Sequence, residues 1–318
     1  MGPVLVILGP TAVGKTALAL RVADEAGCAY EIVNADALQV YRGFDIGTAK
    51  PTMEERRAVP HHLIDILDSS ERFSAGEFAR RARAAIGDIE ARGGRAMVVG
   101  GSGLYLRALL EGISPMPPGD PEVRSRLRER RAAEGLSVLY EELRAGDPET
   151  AGRVAPRDSQ RVLRALEVLA VTGRPLSRWI ASQPFGESRL PAVRVGLTLP
   201  RTILYDRISD RVSRMIDCGW VNEVVTLLRG GASPGHPAFQ AIGYRQIARH
   251  VQGGCTLEQA IDETITATRR FAKRQWTWFR KEADIFWLDA RDLDERMSDI
   301  SDHLSRRRLW RRDGQAQH

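Results

Sequence analysis

The sequence predicts an α/β fold in which a parallel sheet is flanked by helices and interrupted by a helical insertion. Three observations carry this. Residues 9–16 read Gly-Pro-Thr-Ala-Val-Gly-Lys-Thr directly behind the apolar run Val4-Leu5-Val6-Ile7-Leu8, the order of strand, glycine-rich turn and helix that cradles phosphates. Strand-like and helix-like segments then alternate as far as Val99, the rhythm of parallel βαβ units. From Asp120 to about Arg178 only helical signals occur, after which Val193-Arg194-Val195-Gly196-Leu197-Thr198-Leu199 returns to strand texture and should rejoin the sheet.

Element by element, Val4–Leu8 is the first strand, and helical spacing follows through Thr16-Ala17-Leu18-Ala19-Leu20-Arg21-Val22-Ala23. Tyr30-Glu31-Ile32-Val33 reads as a second strand ending in Asn34-Ala35-Asp36. A helix covers about Ala75 to Arg92, Gly93-Gly94 stops it, and Arg95–Val99 is a buried strand leading into Gly100-Gly101-Ser102-Gly103. At Pro115-Met116-Pro117-Pro118-Gly119 the texture changes. Helices then start at Pro121 and run through Arg124 to Glu134, Leu136 to Arg144, and Asp158 to Thr172 with Gly173 as the stop. Beyond the returning strand come helices at Arg201–Cys218, Trp220–Leu228 and about Leu257–Lys281, then a short strand Ile285–Leu288. The chain thus divides into a core of residues 1–118 and 190–290, an insertion of residues 119–189, and a basic C-terminal helix or tail of residues 291–318.

The 318 residues suffice for one sizeable α/β core and a smaller unit. No segment approaches the roughly 18 uninterrupted apolar residues of a membrane span. The N-terminus enters the first strand at once, which leaves no room for a signal peptide and leads us to expect a cytoplasmic protein; a monomer is our expectation, though the sequence does not give the oligomeric state. Cys28, Cys218 and Cys255 are far apart and in no metal-binding spacing. The net charge of +6 favours a polyanionic partner.

The phosphate loop makes the predicted sheet P-loop NTPase-like. Of 47 basic residues only Lys15, Lys50, Lys273 and Lys281 are lysine, so position 15 calls for a compact ammonium able to reach the outer phosphates of a ligand. Gly9, Pro10, Thr11, Ala12, Val13, Gly14, Lys15 and Thr16 form the expected diphosphate or nucleotide site, with the Thr16 hydroxyl on a Mg²⁺ that bridges the phosphates. Asp36 and Ser102 stand at two further strand ends, on the edge where ligands of such sheets gather. Alone, Asp36 also fits a turn-forming aspartate. No acid follows Met97-Val98-Val99, which argues against nucleotide hydrolysis but leaves a small-molecule kinase open. The helix near the C-terminus mixes Arg269, Arg270, Lys273, Arg274, Arg280 and Lys281 with Phe271, Trp276, Trp278 and Phe279. That mixture fits both a surface that stacks splayed-out bases and an amphipathic helix whose aromatics are core.

Several segments together resemble the bacterial tRNA dimethylallyltransferase family: the phosphate loop; Asn34 through Asp36-Ala37-Leu38-Gln39 to Pro51; His61-His62-Leu63-Ile64-Asp65; Gly100-Gly101-Ser102-Gly103-Leu104-Tyr105; Asp158 through Gln160-Arg161-Val162-Leu163-Arg164 to Glu167; Gly243-Tyr244-Arg245-Gln246; and Lys273-Arg274-Gln275-Trp276-Thr277-Trp278. These matches run in order from residue 9 to about 288. The resemblance implies transfer of a dimethylallyl group from its diphosphate to N6 of adenosine 37 beside the tRNA anticodon, with the base flipped out of the loop.

It also implies roles. Asp36 is the general base on the adenine amine, Ser102 stands where the family usually has threonine and contacts the same amine, and Arg207 and Lys15 grip the diphosphate. Asp36, Ala37, Leu38, Gln39 and Ser102, with Arg124, Gln160, Arg161, Val162, Leu163 and Arg164 of the insertion, are the expected tRNA contacts on the anticodon stem-loop. Two readings stay open beside it: an adenylate isopentenyltransferase acting on free nucleotide, and a P-loop small-molecule kinase.

Overall fold

The computed structural model describes residues 2–112, 119–182 and 189–310. In chain order the elements are β1 (Val4–Leu8), α1 (Lys15–Glu25), β2 (Tyr30–Asn34), α2 (Met53–Ala58), β3 (His61–His62), α3 (Ala75–Ala91), β4 (Arg95–Gly100) and α4 (Gly103–Glu111). Then follow α5 (Pro121–Glu134), α6 (Leu136–Gly146), α7 (Pro148–Arg153), α8 (Ser159–Thr172) and α9 (Leu176–Ser182). The chain ends with β5 (Ala192–Thr198), α10 (Arg201–Asp217), α11 (Trp220–Arg229), α12 (Tyr244–Val251), α13 (Leu257–Phe279), β6 (Ile285–Asp289) and α14 (Leu293–Ser305).

Two compact units result: Met1–Leu110 with Leu190–His318, and Glu111–Arg189. The proline-rich segment 115–118 and residues 311–318 lie outside the described residues.

In the first unit all six strands are parallel, in the order β3-β2-β4-β1-β5-β6. β1 is buried along its whole length, as a central strand covered on both faces must be. Its residues alternate between two cores: Leu5 and Ile7 pack with α1, α10 and α14, while Val4, Val6 and Leu8 pack with α3 and α4. Each such Leu or Ile contributes about 1.5–3 kcal/mol by leaving water. The insertion departs and returns where the Leu190 N–H donates to the Leu110 carbonyl at 2.9 Å, so β5 does rejoin the sheet, beside β1. The strand order therefore reverses at β1, between β4 and β5, and the crevice at that switch point receives the phosphate loop.

Local chemistry explains the element ends. Ser74 caps α3 through Glu77 N, Thr256 and Gln259 form a capping box on α13, and Asp120 with Pro121 opens α5. Gly173, at φ 66°, closes α8 in the left-handed conformation that glycine adopts without a Cβ clash.

Of the helix or tail expected for the C-terminal stretch, residues 293–305 take the helix. Leu293–Ser305 is a helix that carries Asp294, Glu295, Asp299 and Asp302 outward and buries Met297, Ile300 and Leu304 in the core of the first unit. Leu309 is buried there too, and the Tyr30 hydroxyl donates to its carbonyl at 2.5 Å. The arginines of 306–308 and 311–312 mask this amphipathic spacing in the sequence.

In the second unit, the helices α5 to α9 are built around Leu127, Leu139, Leu143, Ala151, Val162, Leu163, Ala165 and Leu166.

Candidate functional site

At the carboxyl edge of the sheet lies a cavity of about 580 Å³ whose wall includes Thr11, Gly14, Lys15, Thr16, Asn34, Asp36, Gln39, Gly100, Gly101 and Arg207. The phosphate loop, Asp36 and Arg207, separated by up to nearly two hundred residues in sequence, thus meet at one place. Left-handed backbone at Ala12 (φ 64°) and Gly14 (φ 108°) gives the loop the local geometry by which successive amides form an anion-binding concavity. Gly9 is fixed by close approach, since a Cβ there would stand 2.7 Å from the Leu197 carbonyl oxygen.

Lys15 opens α1 and donates to the carbonyls of Gly9 (3.1 Å) and Pro10 (2.8 Å). Burial depresses its pKa to about 8, with Asp36 opposing the shift and Arg211 adding to it. Arg207 Nη1 lies 3.5 Å from the Val13 carbonyl. Asp36 Oδ1 accepts from Leu38 N at 2.8 Å, a turn-forming bond, while Oδ2 has no hydrogen-bond partner among the described residues. The aspartate therefore serves the turn with one oxygen and offers the other to the cavity.

Three further residues of the wall escape the sequence reading. Arg211 and Arg214 stand one and two turns after Arg207 on α10, at i+4 and i+7, so all three arginines share the face that borders the cavity. The spacing was legible, but a basic helix gives no sign of which partner it faces. Gln275 of α13 is the third. It is buried, accepts from Thr11 N at 2.9 Å, and donates to the Gly101 carbonyl at 2.9 Å. Ser102 itself does not line the cavity; the turn reaches it through Gly100 and Gly101.

The glycines after β4 also account for the missing acid. A Cβ on Gly100 would come within 2.3 Å of the Ala35 carbonyl oxygen, and one on Gly101 within 2.3 Å of Gln275 Nε2. At Gly100 the clash is with backbone, so no acidic side chain fits at that position.

The segment from Asp36 to Asp65 is held by a buried lysine. Lys50 Nζ donates to the Tyr41 carbonyl (2.7 Å) and pairs with Asp45 and Asp65 at 2.5 Å each, and Arg56 also bonds Asp65 at 2.7 Å. Gln39 Nε2 donates to the carbonyls of Thr48 and Ala49, both at 3.1 Å. Gly243 and Tyr244 support the same segment from outside the cavity. The Tyr244 hydroxyl donates to Glu223 (2.5 Å) and accepts from Gly47 N (3.1 Å), and a Cβ on either Gly47 or Gly243 would run into Trp220. Lys50, Asp65 and Tyr244 are thus scaffold for the loop that carries Gln39.

The long helix α13 puts Phe279 and part of Trp278 into a core and leaves Phe271 and Trp276 half-buried. Phe279 is fully buried, Trp278 packs on the Gly103 turn beneath the Arg107 guanidinium, and Trp276 meets Trp287 edge-on. Lys273, Arg274 and Arg280 are exposed. Only Phe271 among these aromatics borders the cavity.

In the second unit, Gln160 and Arg161 are exposed at the start of α8. Arg124 and Arg164 both bond the carboxylate of buried Glu167 at 2.9 Å. Burial would raise the Glu167 pKa, but the two guanidinium bonds outweigh it and hold the acid below its usual value. Val162 and Leu163 correct the sequence expectation: their side chains lie in the unit's core and present no surface to an RNA. The apolar period of α8 demands this, because 162, 163 and 166 are its inward positions.

Comparison with known proteins agrees with this geometry. A family described as IPP transferase matches residues 39–282. A tRNA dimethylallyltransferase of Syntrophobacter fumaroxidans is 49% identical over 290 residues, covering 91% of this chain and 84% of its own length. One from Thermobifida fusca is 47% identical over 302 residues, covering 93% of each chain. Among solved structures, the tRNA isopentenylpyrophosphate transferase of Bacillus halodurans superposes with a TM-score of 0.68 at 37% identity, over 97% of this chain and 98% of that one. A eukaryotic dimethylallyltransferase described as acting on tRNA does so with a TM-score of 0.79 at 28% identity, over 98% of this chain and 82% of that one. With a family match across more than half of its length and relatives near 50% identity along nearly all of it, the chain belongs to the IPP transferase family.

Proposed function

We propose that this protein transfers a dimethylallyl group from dimethylallyl diphosphate to N6 of adenosine 37 in the anticodon loop of tRNAs, releasing diphosphate. The observation that carries the reading is the meeting of Lys15, Thr16, Asp36 and Arg207 in one cavity, in a member of this family. An adenine amine is a poor nucleophile because its lone pair is drawn into the ring, whereas an allylic C–O bond breaks readily once the departing diphosphate is stabilised. The protein's main task is to neutralise that leaving group.

The loop amides, the Lys15 ammonium and the guanidinium of Arg207 supply fixed positive charge where negative charge develops, without reorganisation during the reaction. Arg211 and Arg214 extend the same field along α10. As the N–C bond forms, the free Oδ2 of Asp36 accepts the amine proton while Oδ1 stays anchored on Leu38 N.

Mg²⁺ is the cofactor we assign. The cavity wall offers hard oxygen donors and no histidine or cysteine, and no cage of three or more His, Cys, Asp or Glu occurs among the described residues. That suits an ion that the Thr16 hydroxyl would help to hold. When bound there it would supply positive charge that offsets the charge of the departing diphosphate.

On the RNA side, Gln160 and Arg161 of the second unit and Arg274 of α13 are the exposed groups we assign to the anticodon stem-loop. We place the reaction in the cytoplasm and the protein as a monomer. No helix among the described residues is long and apolar enough to cross a membrane.

The deciding experiment is transfer of radiolabelled dimethylallyl to an anticodon stem-loop containing adenosines 36 to 38, with AMP as competing acceptor and phosphate release from ATP followed in parallel. The expected result is labelled RNA, unlabelled AMP, no ATP turnover, and competitive inhibition by ATP. Labelled AMP would favour the free-nucleotide transferase, and RNA-stimulated phosphate release the kinase.

A further inference from the structure

The phosphate loop and the Gly100-Gly101-Ser102-Gly103 turn end different strands, and one buried side chain spans them. Gln275 takes the Thr11 N–H with Oε1 and gives an N–H of its amide to the Gly101 carbonyl, both at 2.9 Å. The amide orientation is fixed by chemistry, because the Thr11 nitrogen can only donate and the Gly101 oxygen only accept. The packing around it is tight: Gln275 Nε2 would be 2.3 Å from a Cβ on Gly101, whose Cβ would also be 3.1 Å from the Gly9 carbonyl oxygen. β1 and β4 already pair as neighbours, with Leu8 opposite Gly100, and beyond that register the two turns that border the cavity, one for the leaving group and one next to Ser102, are bridged by one residue on a helix more than 170 positions away in sequence from either.

We propose that Gln275 is the positioning residue that couples donor and acceptor halves of the site. Beyond the β1–β4 register it fixes the diphosphate loop against the Gly101–Ser102 turn, and it passes the ordering of one to the other. This rests on the transferase reading for its effect on rate, though not for the coupling itself. Binding of a diphosphate at the loop removes freedom from Thr11. Through two hydrogen bonds that a glutamine is just long enough to make together, the Gly101–Ser102 turn loses freedom with it. A second ligand that needs that turn ordered then meets a smaller entropic cost, which is positive cooperativity between the sites.

Two substitutions test this. Gln275→Met keeps the volume and loses both bonds; Gln275→Asn keeps the chemistry but is one methylene too short to span both partners. Amide hydrogen exchange is followed in wild type and both variants with and without inorganic pyrophosphate and Mg²⁺. In the wild type, pyrophosphate should slow exchange in the loop and in residues 101–104; in either variant that folds, protection should stay in the loop. Pyrophosphate affinity should change less than about three-fold, while kcat for prenyl transfer falls roughly 10²-fold, the scale expected of a misplaced reacting pair. Protection of residues 101–104 that persists in a folded variant overturns the proposal. So does a parallel loss of pyrophosphate affinity, RNA affinity and melting temperature, which marks a purely structural residue. A wild-type protein that shows the exchange coupling but no prenyl transfer would overturn the transferase reading and leave the coupling standing.

Discussion

If Lys15 grips the diphosphate as an ammonium, donor binding must weaken as the solution becomes alkaline, and the structure sets the pH at which this begins. Burial brings the Lys15 pKa down from the usual lysine value to about 8. The free protein is then about 90% in the binding-competent, protonated form at pH 7 and about 10% at pH 9, so the apparent dissociation constant should rise about ten-fold across those two units. The bound diphosphate pushes the pKa back up, which keeps the ammonium in the complex and makes the proton a required co-ligand.

No histidine, cysteine or tyrosine lines the cavity, and the last ionisation of a terminal phosphate, near about 6, is complete before this window opens. The assay is calorimetric titration with dimethylallyl diphosphate and Mg²⁺, without RNA, between pH 7 and 9. Lys15→Ala should bind weakly with a flat profile and lose at least about two orders of magnitude in turnover. Lys15→Arg should also be flat, because a guanidinium does not titrate there, yet remain weak, because its broad fork does not reproduce the bonds to Gly9 and Pro10. A ten-fold loss surviving in Lys15→Ala, or a flat wild-type profile, would refute the assignment.

Further outcomes follow from the same geometry. Asp36→Asn retains the turn bond to Leu38 N and removes the proton acceptor, so single-turnover transfer should drop roughly 10²- to 10⁴-fold with donor affinity nearly unchanged; an unaltered rate would reduce Asp36 to a turn former. Arg161→Ala and Arg274→Ala remove exposed cations, and each should lower the salt slope of RNA binding by about 0.7–0.9 without touching donor binding; unchanged slopes would move the RNA surface elsewhere. Glu167→Gln leaves Arg124 and Arg164 without their buried carboxylate and should destabilise the second unit by about 1–3 kcal/mol, read by chemical denaturation. Because the folded Glu167 pKa is depressed, that stabilisation should be fully present above the ordinary glutamate value, decline below it, and be lost as pH falls through the lower folded-state pKa, a trend the Gln variant should lack.

By itself the sequence determined whatever is written in consecutive residues. The phosphate loop is such a feature, because a strand, a glycine-rich turn and a helix start lie within sixteen residues and each dictates the next. So are the parallel sheet, the helix start at Pro121, and the strand-end position of Asp36. Resemblance added the roles of residues whose spacing alone says little, such as Arg207.

Tertiary structure decided what depends on facing. An amphipathic helix declares that one side is buried without naming its partner, so the aromatics of α13 read equally as stacking faces or as core until Gly103, Trp287 and Arg107 were seen against them. The same limit hid Arg211, Arg214 and above all Gln275, whose two hydrogen bonds reach residues 264 and 174 positions away. It hid the inward turn of Val162 and Leu163 and the role of Glu167, a charge that is buried only because two arginines from different helices converge on it. Local motifs are fixed by backbone sterics and hydrogen bonding within a few residues; the identity of a buried polar partner is fixed by the packing of the whole unit, and no window of sequence contains it.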